Sequence, residues 1–473
     1  MSTSGAVAAI DLGATSGRVF VGRVGSDTLT AEQVARFPNI PVHVADGMHW
    51  DVLSLYGAAS EGLRTAFHTG EDIRSIGIDS WAVDYALLRD GRMLGNPFHY
   101  RDARTARGVE AVHAVRSHAE LFARNGLQFL PFNTLYQFAA EAPDVLGFAD
   151  TALLIPDLIA FWLTGQTRTE LTNASTTGLV RAGAVEWDAA LLDALGLPRG
   201  ILSPLIAPGE RIGTLLPAVA ERSGAPAGIP VTAVGSHDTA SAVVAVPMQA
   251  DSAVYISCGT WGLVGVEVER PVLTPEALAA NFTNEGGVDG RVRLLHNVMG
   301  LWVLSEAVRQ WEREGHQVDL PTLLDSAAEV TTAVPVFDVN DPRFAPPGDM
   351  PARIAEWCAE HAQPAPRTRA EYTRSIVESL AQAFADAAHT AASLGDVDAK
   401  TIHIVGGGAL NELLCQRTAD RAGMTVLAGP VEATALGNIL VQARAVGVVD
   451  GSLESLRDLV ARTHAPRRYS PRA

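Results

Sequence analysis

The chain has 473 residues, too many for one ordinary hydrophobic core, so two domains are expected. With 36 basic against 53 acidic residues its formal charge is −17, which excludes nucleic acid or an anionic lipid surface as the main partner, since both need a basic face. Its 3 cysteines, Cys258, Cys358 and Cys415, are far apart and odd in number, which excludes a disulfide framework or a CxxC metal site and fits a reducing cytoplasm.

Among the basic residues there is a single lysine, Lys400, in the context DVDAKTIHI. A Walker A loop, a protein-kinase strand lysine and a Schiff-base lysine each need a different setting, so any nucleotide must be held by backbone amides, hydroxyls and Mg²⁺. The opening MSTSGAVAAIDLG lacks a basic region of the kind that begins a signal peptide. The longest apolar passage, TALLIPDLIAFWLTG, is interrupted by Pro156 and Asp157 and is too short to span a bilayer, so no membrane role is expected.

In chain order, VAAI (7–10), DLGATSGR (11–18) and VFVGRV (19–24) read as a strand, a tight loop and a returning strand. Asp51 opens a helix in which Leu53, Tyr56, Leu63 and Phe67 keep roughly helical spacing. SIGIDSWAVDYALL (75–88) reads as two more strands. Residues 105–200 read as mostly helical, with loops at FLPFNT (129–134) and TNASTTG (172–178). PVTAVGS (230–236) returns to strand and leads into His237 and Asp238. SAVYISCGTWGLVGVEV (252–268) then repeats the opening layout, with Gly259 where the first loop has Gly13, which points to two related domains. Downstream come a strand VRLLHNV, a helix from Met299 to about Glu314, a long helix near 369–394, and the strand, glycine turn and helix of TIHIVGGGALNELLCQ (401–416). The small and polar stretch PMQAD (247–251) marks the boundary.

Each motif has an ordinary reading beside a chemical one. DLGATSGR and SCGTWG are ordinary hairpin turns, or else backbone cradles for phosphate oxygens in which Asp11 reaches Mg²⁺ directly or through a water and Thr260 adds a hydroxyl. The glycines of VGGGALNE are packing devices, or a shelf for a base or ribose. Asp238 is the N-cap of the helix that TASAVVAV predicts, or a general base toward a substrate hydroxyl, and the two roles are compatible. Ser236, His237 and Asp238 cannot form a hydrolase triad among themselves, because adjacent side chains diverge.

DLGATSGR, SIGIDSWAVDYALL, HYRDART, FLPFNTLYQ, TNASTTGLV, GSHDTASAV, SCGTWGLVG, NFTNEGG, NVMGLW, HIVGGGALN and GPVEATALGN together resemble the FGGY family of carbohydrate kinases, from about residue 6 to 445. The resemblance implies an α/β fold of two RNase H-like domains, of the actin/Hsp70/hexokinase-like ATPase class, around a central cleft. Residues 1–246 would mainly bind sugar and carry the first phosphate loop, and 247–473 would mainly bind nucleotide. The implied activity is transfer of phosphate from ATP, with Mg²⁺, to a ketose: L-rhamnulose at O1, or else L-fuculose, L-ribulose or D-xylulose. A non-sugar ATPase of the same fold is the more distant alternative. By the same resemblance Ala14, Thr15, Ser16, Gly17 and Arg18 contact ATP phosphates, and Thr260, Ser305 and Gly407 serve the nucleotide. Ala82, His237, Asp238, Thr239 and Asn297 line the sugar, with Asp238 as proton acceptor. Asp79, Asp84, Trp50 and Trp81 are further candidates for the pocket wall. Two positions depart from the family pattern: Ala82 stands where glycine is usual, and Ser305 where glutamine is.

Overall fold

The continuous apolar run of the N-terminus becomes the central strand of a sheet. The computed structural model of the chain describes residues 4–472. They fall into two compact units: one runs through Pro247 and adds Val268–Leu294 and Ala433–Thr463, and the other holds Met248–Glu267, Leu295–Glu432 and the chain from His464 onward.

In the first unit the sheet order is Arg211–Thr214, Pro230–Thr232, Ile73–Ser80, Gly5–Leu12, Ser16–Gly25, Thr28–Pro38. The three middle strands, Pro230–Thr232, Ile73–Ser80 and Gly5–Leu12, run parallel, and the hairpin partner Ser16–Gly25 is antiparallel to Gly5–Leu12. Gly5–Leu12 is buried along almost its whole length, which is why it reads as unbroken AVAAI rather than as an alternating pattern. Glycines set the packing on both faces. A Cβ at Gly22 would meet Ile439 at 2.5 Å, on the helix Ala433–Ala445, and one at Gly62 would meet Val19 at 2.5 Å.

The helix opened by Asp51 spans Val52–Phe67, and the Asp51 side chain accepts from the Ser54 amide as an N-cap. Its buried face is Val52, Leu55, Ala59, Gly62, Leu63 and Ala66, whereas Leu53 is 58% exposed. Leu63 is buried as expected and Tyr56 and Phe67 are half-buried, so of the expected residues only Leu53 turns outward.

Between residues 105 and 200 short helices surround a second core and a small sheet in which Tyr85–Arg89 lies between Arg92–Met93 and Thr151–Leu154. The expected loop at 172–178 is instead a helical turn, Leu171–Ala174, followed by a 3₁₀ turn, Ser175–Thr177. Glu170 caps it by accepting from the amides of Thr172 and Asn173. The hydroxyls of Ser175, Thr176 and Thr177 each donate to the carbonyl three residues earlier, which holds a polar sequence in helical form.

The second unit repeats the arrangement. Ala253–Cys258 and Trp261–Val268 form an antiparallel hairpin, and Ala253–Cys258 pairs on its other side, in parallel, with Thr401–Val405, which pairs with Thr425–Ala428. Arg467–Tyr469 closes that edge. The 27-residue helix Arg369–Gly395 begins with a capping box of Thr368 and Glu371, and its Phe384 ring lies against Gly262, where a Cβ would meet it at 2.4 Å. Among the described residues no helix is long and apolar enough to cross a membrane. All three cysteines are free and buried.

Candidate active site

The carboxyl ends of the three parallel strands in the first unit converge. Trp81 donates its amide to the Leu12 carbonyl at 3.2 Å, Ser80 donates to the Ser236 carbonyl at 2.9 Å, and Ser80 forms a parallel bridge with His237. Ligands in sheets of this kind bind beyond the carboxyl ends of parallel strands.

Register places the acids. Asp11 is opposite Arg18 in the hairpin and opposite Asp79 in the neighbouring parallel strand. Arg18 donates from Nη2 to Asp11 Oδ2 at 2.6 Å. Asp79 is fully buried, and its Oδ2 accepts from Asn438 Nδ2 at 2.6 Å while Oδ1 has no hydrogen-bond partner. Burial raises the Asp79 carboxyl well above the ordinary range, and the negative charges of Asp11 and Asp238 push it further. Asp11, Asp79 and Asp238 are therefore one electrostatic group.

The first loop is tied from outside the motif. Asn39 donates its side chain to the Gly13 carbonyl at 2.9 Å and its amide to the Thr15 carbonyl at 3.0 Å, and sequence reasoning did not select it. Ala14, Thr15 and Ser16 are accessible at the turn, but Gly17 is buried in the ladder, where a Cβ would lie 2.1 Å from the Phe37 ring. Gly17 thus serves close packing beneath the loop.

The helix after strand Pro230–Thr232 spans Asp238–Val244, with His237 as its N-cap residue and no side-chain cap bond. Asp238 does not cap the helix as expected. It is the first helical residue, its carboxylate accepts from the Thr239 hydroxyl at 3.1 Å, and its side chain remains 34% exposed. A group turned outward in this way is open to a substrate.

His237 is held from behind by residues that sequence reasoning did not single out. Arg293, wholly buried, has its Nη2 3.1 Å from His237 Nδ1 and 3.1 Å from Glu285 Oε2. His237 Nδ1 is also 3.3 Å from Glu285 Oε2, so it faces a guanidinium and a carboxylate together, and Nε2 lies 3.4 Å from Asp238 Oδ1. Burial works against the Glu285 carboxylate, but Arg293 and His237 outweigh it and hold the group below its ordinary value. Glu285 lies within NFTNEGG, the only sequence signal for it. Upstream, the buried Glu170 accepts from the amide and hydroxyl of Ser236, fixing the approach to His237.

In the second unit, Gly259 and Thr260 form the hairpin turn, and their carbonyls accept from the amides of Leu301 and Trp302 at the start of helix Trp302–Arg313. Gly406 (φ 81°) and Gly408 lie against Cys258, where a Cβ on Gly408 would meet the sulfur at 2.3 Å. Gly407 faces open space. It lines a cavity of about 1130 Å³ with Ser305, Leu301, Leu304 and Asn411. The structure thus brings Ser305 and Gly407 to one cavity, with Thr260 held to the start of the helix that carries Ser305. Asn297 stands half-buried on strand Val292–Met299. In the first unit Ala82 is half-buried beyond strand Ile73–Ser80, while Trp50 and Asp84 are buried behind it and form no open wall.

Comparison with known proteins assigns a family to nearly the whole chain. The N-terminal domain profile of the FGGY family of carbohydrate kinases matches residues 6–245 and the C-terminal domain profile matches residues 254–446. The rhamnulokinase of Bacteroides thetaiotaomicron is 40% identical over 467 residues, 98% of this chain and 95% of the relative. That of Pectobacterium atrosepticum is 42% identical over 475 residues, 99% of this chain and 93% of the relative. Among solved structures, the xylulose kinase of Lactobacillus acidophilus superposes with a TM-score of 0.80 at 17% identity, covering 99% of this chain and 94% of that one. The fold is the two-domain actin-like ATPase fold.

Proposed function

The chain belongs to the FGGY family of carbohydrate kinases, and we propose that it transfers the γ-phosphoryl group of ATP to O1 of L-rhamnulose, giving L-rhamnulose 1-phosphate and ADP. The observation that carries this reading is Asp238: an outward-facing carboxylate at a helix start, beside His237 Nε2 and within the field of Asp11 and Asp79. The near full-length likeness to two rhamnulokinases supports L-rhamnulose as the ketose.

In this reading Ala82, His237, Asp238, Thr239 and Asn297 line the sugar. Asp238 accepts the O1 proton as the O1–Pγ bond forms and the bond from Pγ to the bridging oxygen of ADP breaks. His237 Nε2 stands 3.4 Å from the Asp238 carboxylate and keeps it at the sugar. Amides of Ala14, Thr15 and Ser16 and the Thr260 hydroxyl bind phosphate oxygens, with Arg18 beside them. Gly407 and Ser305 receive the nucleoside. The N-terminal half of the chain serves chiefly the sugar and the C-terminal half the nucleotide.

Mg²⁺ fits this set of donors. Among the described residues no group of three or more histidine, cysteine or acidic side chains could hold a metal ion, which suits an ion carried mainly by phosphates and water with one carboxylate added. Asp11 is that carboxylate, directly or through a water, and the buried unpartnered Oδ1 of Asp79 stands beside it in register. Bound with ATP, the ion neutralises charge on the transferred group. The free, buried cysteines suit a reducing cytoplasm.

The test is ADP release from MgATP with L-rhamnulose, L-fuculose, L-ribulose and D-xylulose beside a no-sugar control. The highest kcat/KM is expected for L-rhamnulose. Preference for another ketose would replace the substrate and keep the kinase; ADP release that no sugar stimulates would remove the kinase reading.

A further inference from the structure

Behind Ala82 lies a hydrogen-bonded group that the reaction as described does not use. Asp84 is buried, yet its carboxylate receives four donors. Oδ2 accepts from Trp50 Nε1 at 2.6 Å, from Trp81 Nε1 at 3.0 Å and from the Tyr100 amide at 3.2 Å, and Oδ1 accepts from Gln137 Nε2 at 2.8 Å. The orientation of the Gln137 amide is fixed from its other end, because Oε1 accepts from Arg104 Nη2 at 3.2 Å. All four partners present hydrogens, so only an acceptor-only group, an ionised carboxylate, satisfies them; an amide or a protonated acid would set a hydrogen against a hydrogen.

The residue between Ala82 and Asp84 is strained. Val83 has φ 71°, a left-handed conformation that a β-branched residue rarely adopts, and the Asp84 amide closes the turn on the Ala82 carbonyl at 3.0 Å. Such strain persists where surrounding structure over-determines it. Here the Val83 carbonyl accepts from Thr134 Oγ1 at 2.7 Å and from Gln137 Nε2 at 3.3 Å, while the Asp84 side chain grips both indoles, which lie tilted at 37° with centroids 4.2 Å apart. Trp81 is in turn anchored through its amide to the Leu12 carbonyl at the end of the central strand.

We propose that Asp84 is a positioning residue for the ketose: its ionised carboxylate gathers Trp50, Trp81, Tyr100 and Gln137, and so holds the Val83 turn that presents Ala82 to the sugar. The role rests on the reading of Ala82 as a sugar contact. It makes sugar binding, and not nucleotide binding, depend on the ionisation of a group that touches no substrate. The charged and titratable groups around it are His99, stacked on Trp50, Arg101 and Asp102 after Tyr100, and Arg104 with Glu141 and Tyr85 beyond Gln137. Burial pushes His99 down to about 3, so it stays neutral where Asp84, raised by burial to about 6 against the pull of its four bonds, changes charge.

The experiment measures KM for L-rhamnulose and for MgATP, and the pH profile of kcat/KM, in the wild type and in Asp84→Asn. The expected result is a ketose KM raised about tenfold or more, an MgATP KM within about twofold, and loss of the fall in ketose kcat/KM that the wild type shows below about pH 6. A folded variant with an unchanged ketose KM, or with both KM values raised together, overturns the role. Should Asp84→Asn not fold, Thr134→Val, which removes only a donor to the Val83 carbonyl, decides the matter: a selective rise in ketose KM sustains the proposal, and unchanged kinetics overturn it. A wild type that accepts no ketose removes the functional reading and this proposal with it, whereas an active wild type beside an indifferent variant removes the proposal alone.

Discussion

Replacing Asp238 by Asn separates chemistry from stability because the structure gives the two effects different sizes. The carboxylate makes no cap bond and is 34% exposed, so its structural contribution is its charge in the first helical turn, about 0.3–1 kcal/mol. The Thr239 hydroxyl that bonds Oδ1 can donate equally to an amide oxygen. The thermal midpoint should therefore move by only a few degrees. Loss of a general base lowers the rate about 10²–10⁴-fold, which corresponds to about 2.7–5.4 kcal/mol in the barrier. The barrier effect outweighs the stability effect several-fold, so a fall in kcat cannot be ascribed to unfolded protein. The assay is ADP release at saturating MgATP and ketose, with KM for each substrate, beside thermal unfolding of the same preparations. A folded Asp238→Asn protein whose kcat stays within about tenfold of the wild type would refute Asp238 as the base.

Glu285→Gln leaves the buried Arg293 without the charge of its carboxylate partner, and breaking a buried pair from one side typically destabilises by about 3–5 kcal/mol. A fall in the urea midpoint, together with a raised ketose KM as His237 loses its support, is expected; an unchanged midpoint contradicts the pairing. Gly17→Ala drives a methyl to within 2.1 Å of the present Phe37 ring, so it should lower the thermal midpoint and raise the KM for MgATP, and Phe37→Leu in the same chain should restore part of both. The Asp84 carboxyl is raised from about 3.9 in an unfolded chain to about 6 in the folded one. The folded state thus binds this proton more tightly, and the contribution, on the order of 3 kcal/mol, is full below pH ~4 and is lost as pH rises through ~6. Wild-type stability should therefore decline more steeply over that range than that of Asp84→Asn, and equal slopes in urea titrations at several pH values would contradict the shift. Stability and sugar binding respond to this proton in opposite directions.

The sequence by itself determined the elements whose causes are local. Both hairpin loops, the Asp51 cap, the capping box of Thr368 and Glu371, and the strand, glycine turn and helix near Gly407 follow from residues within about four positions of one another. The hairpin loops proposed to hold phosphate belong to this class. What only the tertiary structure decided involves buried charge and close approach. Leu53 turned outward because the face of Val52, Leu55, Ala59, Gly62, Leu63 and Ala66 is the buried one, and Asp238 turned outward because His237 took the cap position. The cluster of Glu285, Arg293 and His237, the Asn39 tie and the four donors on Asp84 join residues far apart in sequence, and Asp79 meets Asn438 across 359 positions. A buried carboxylate must be satisfied by whichever donors the packing brings to it, and periodicity and turn chemistry carry no information about that choice.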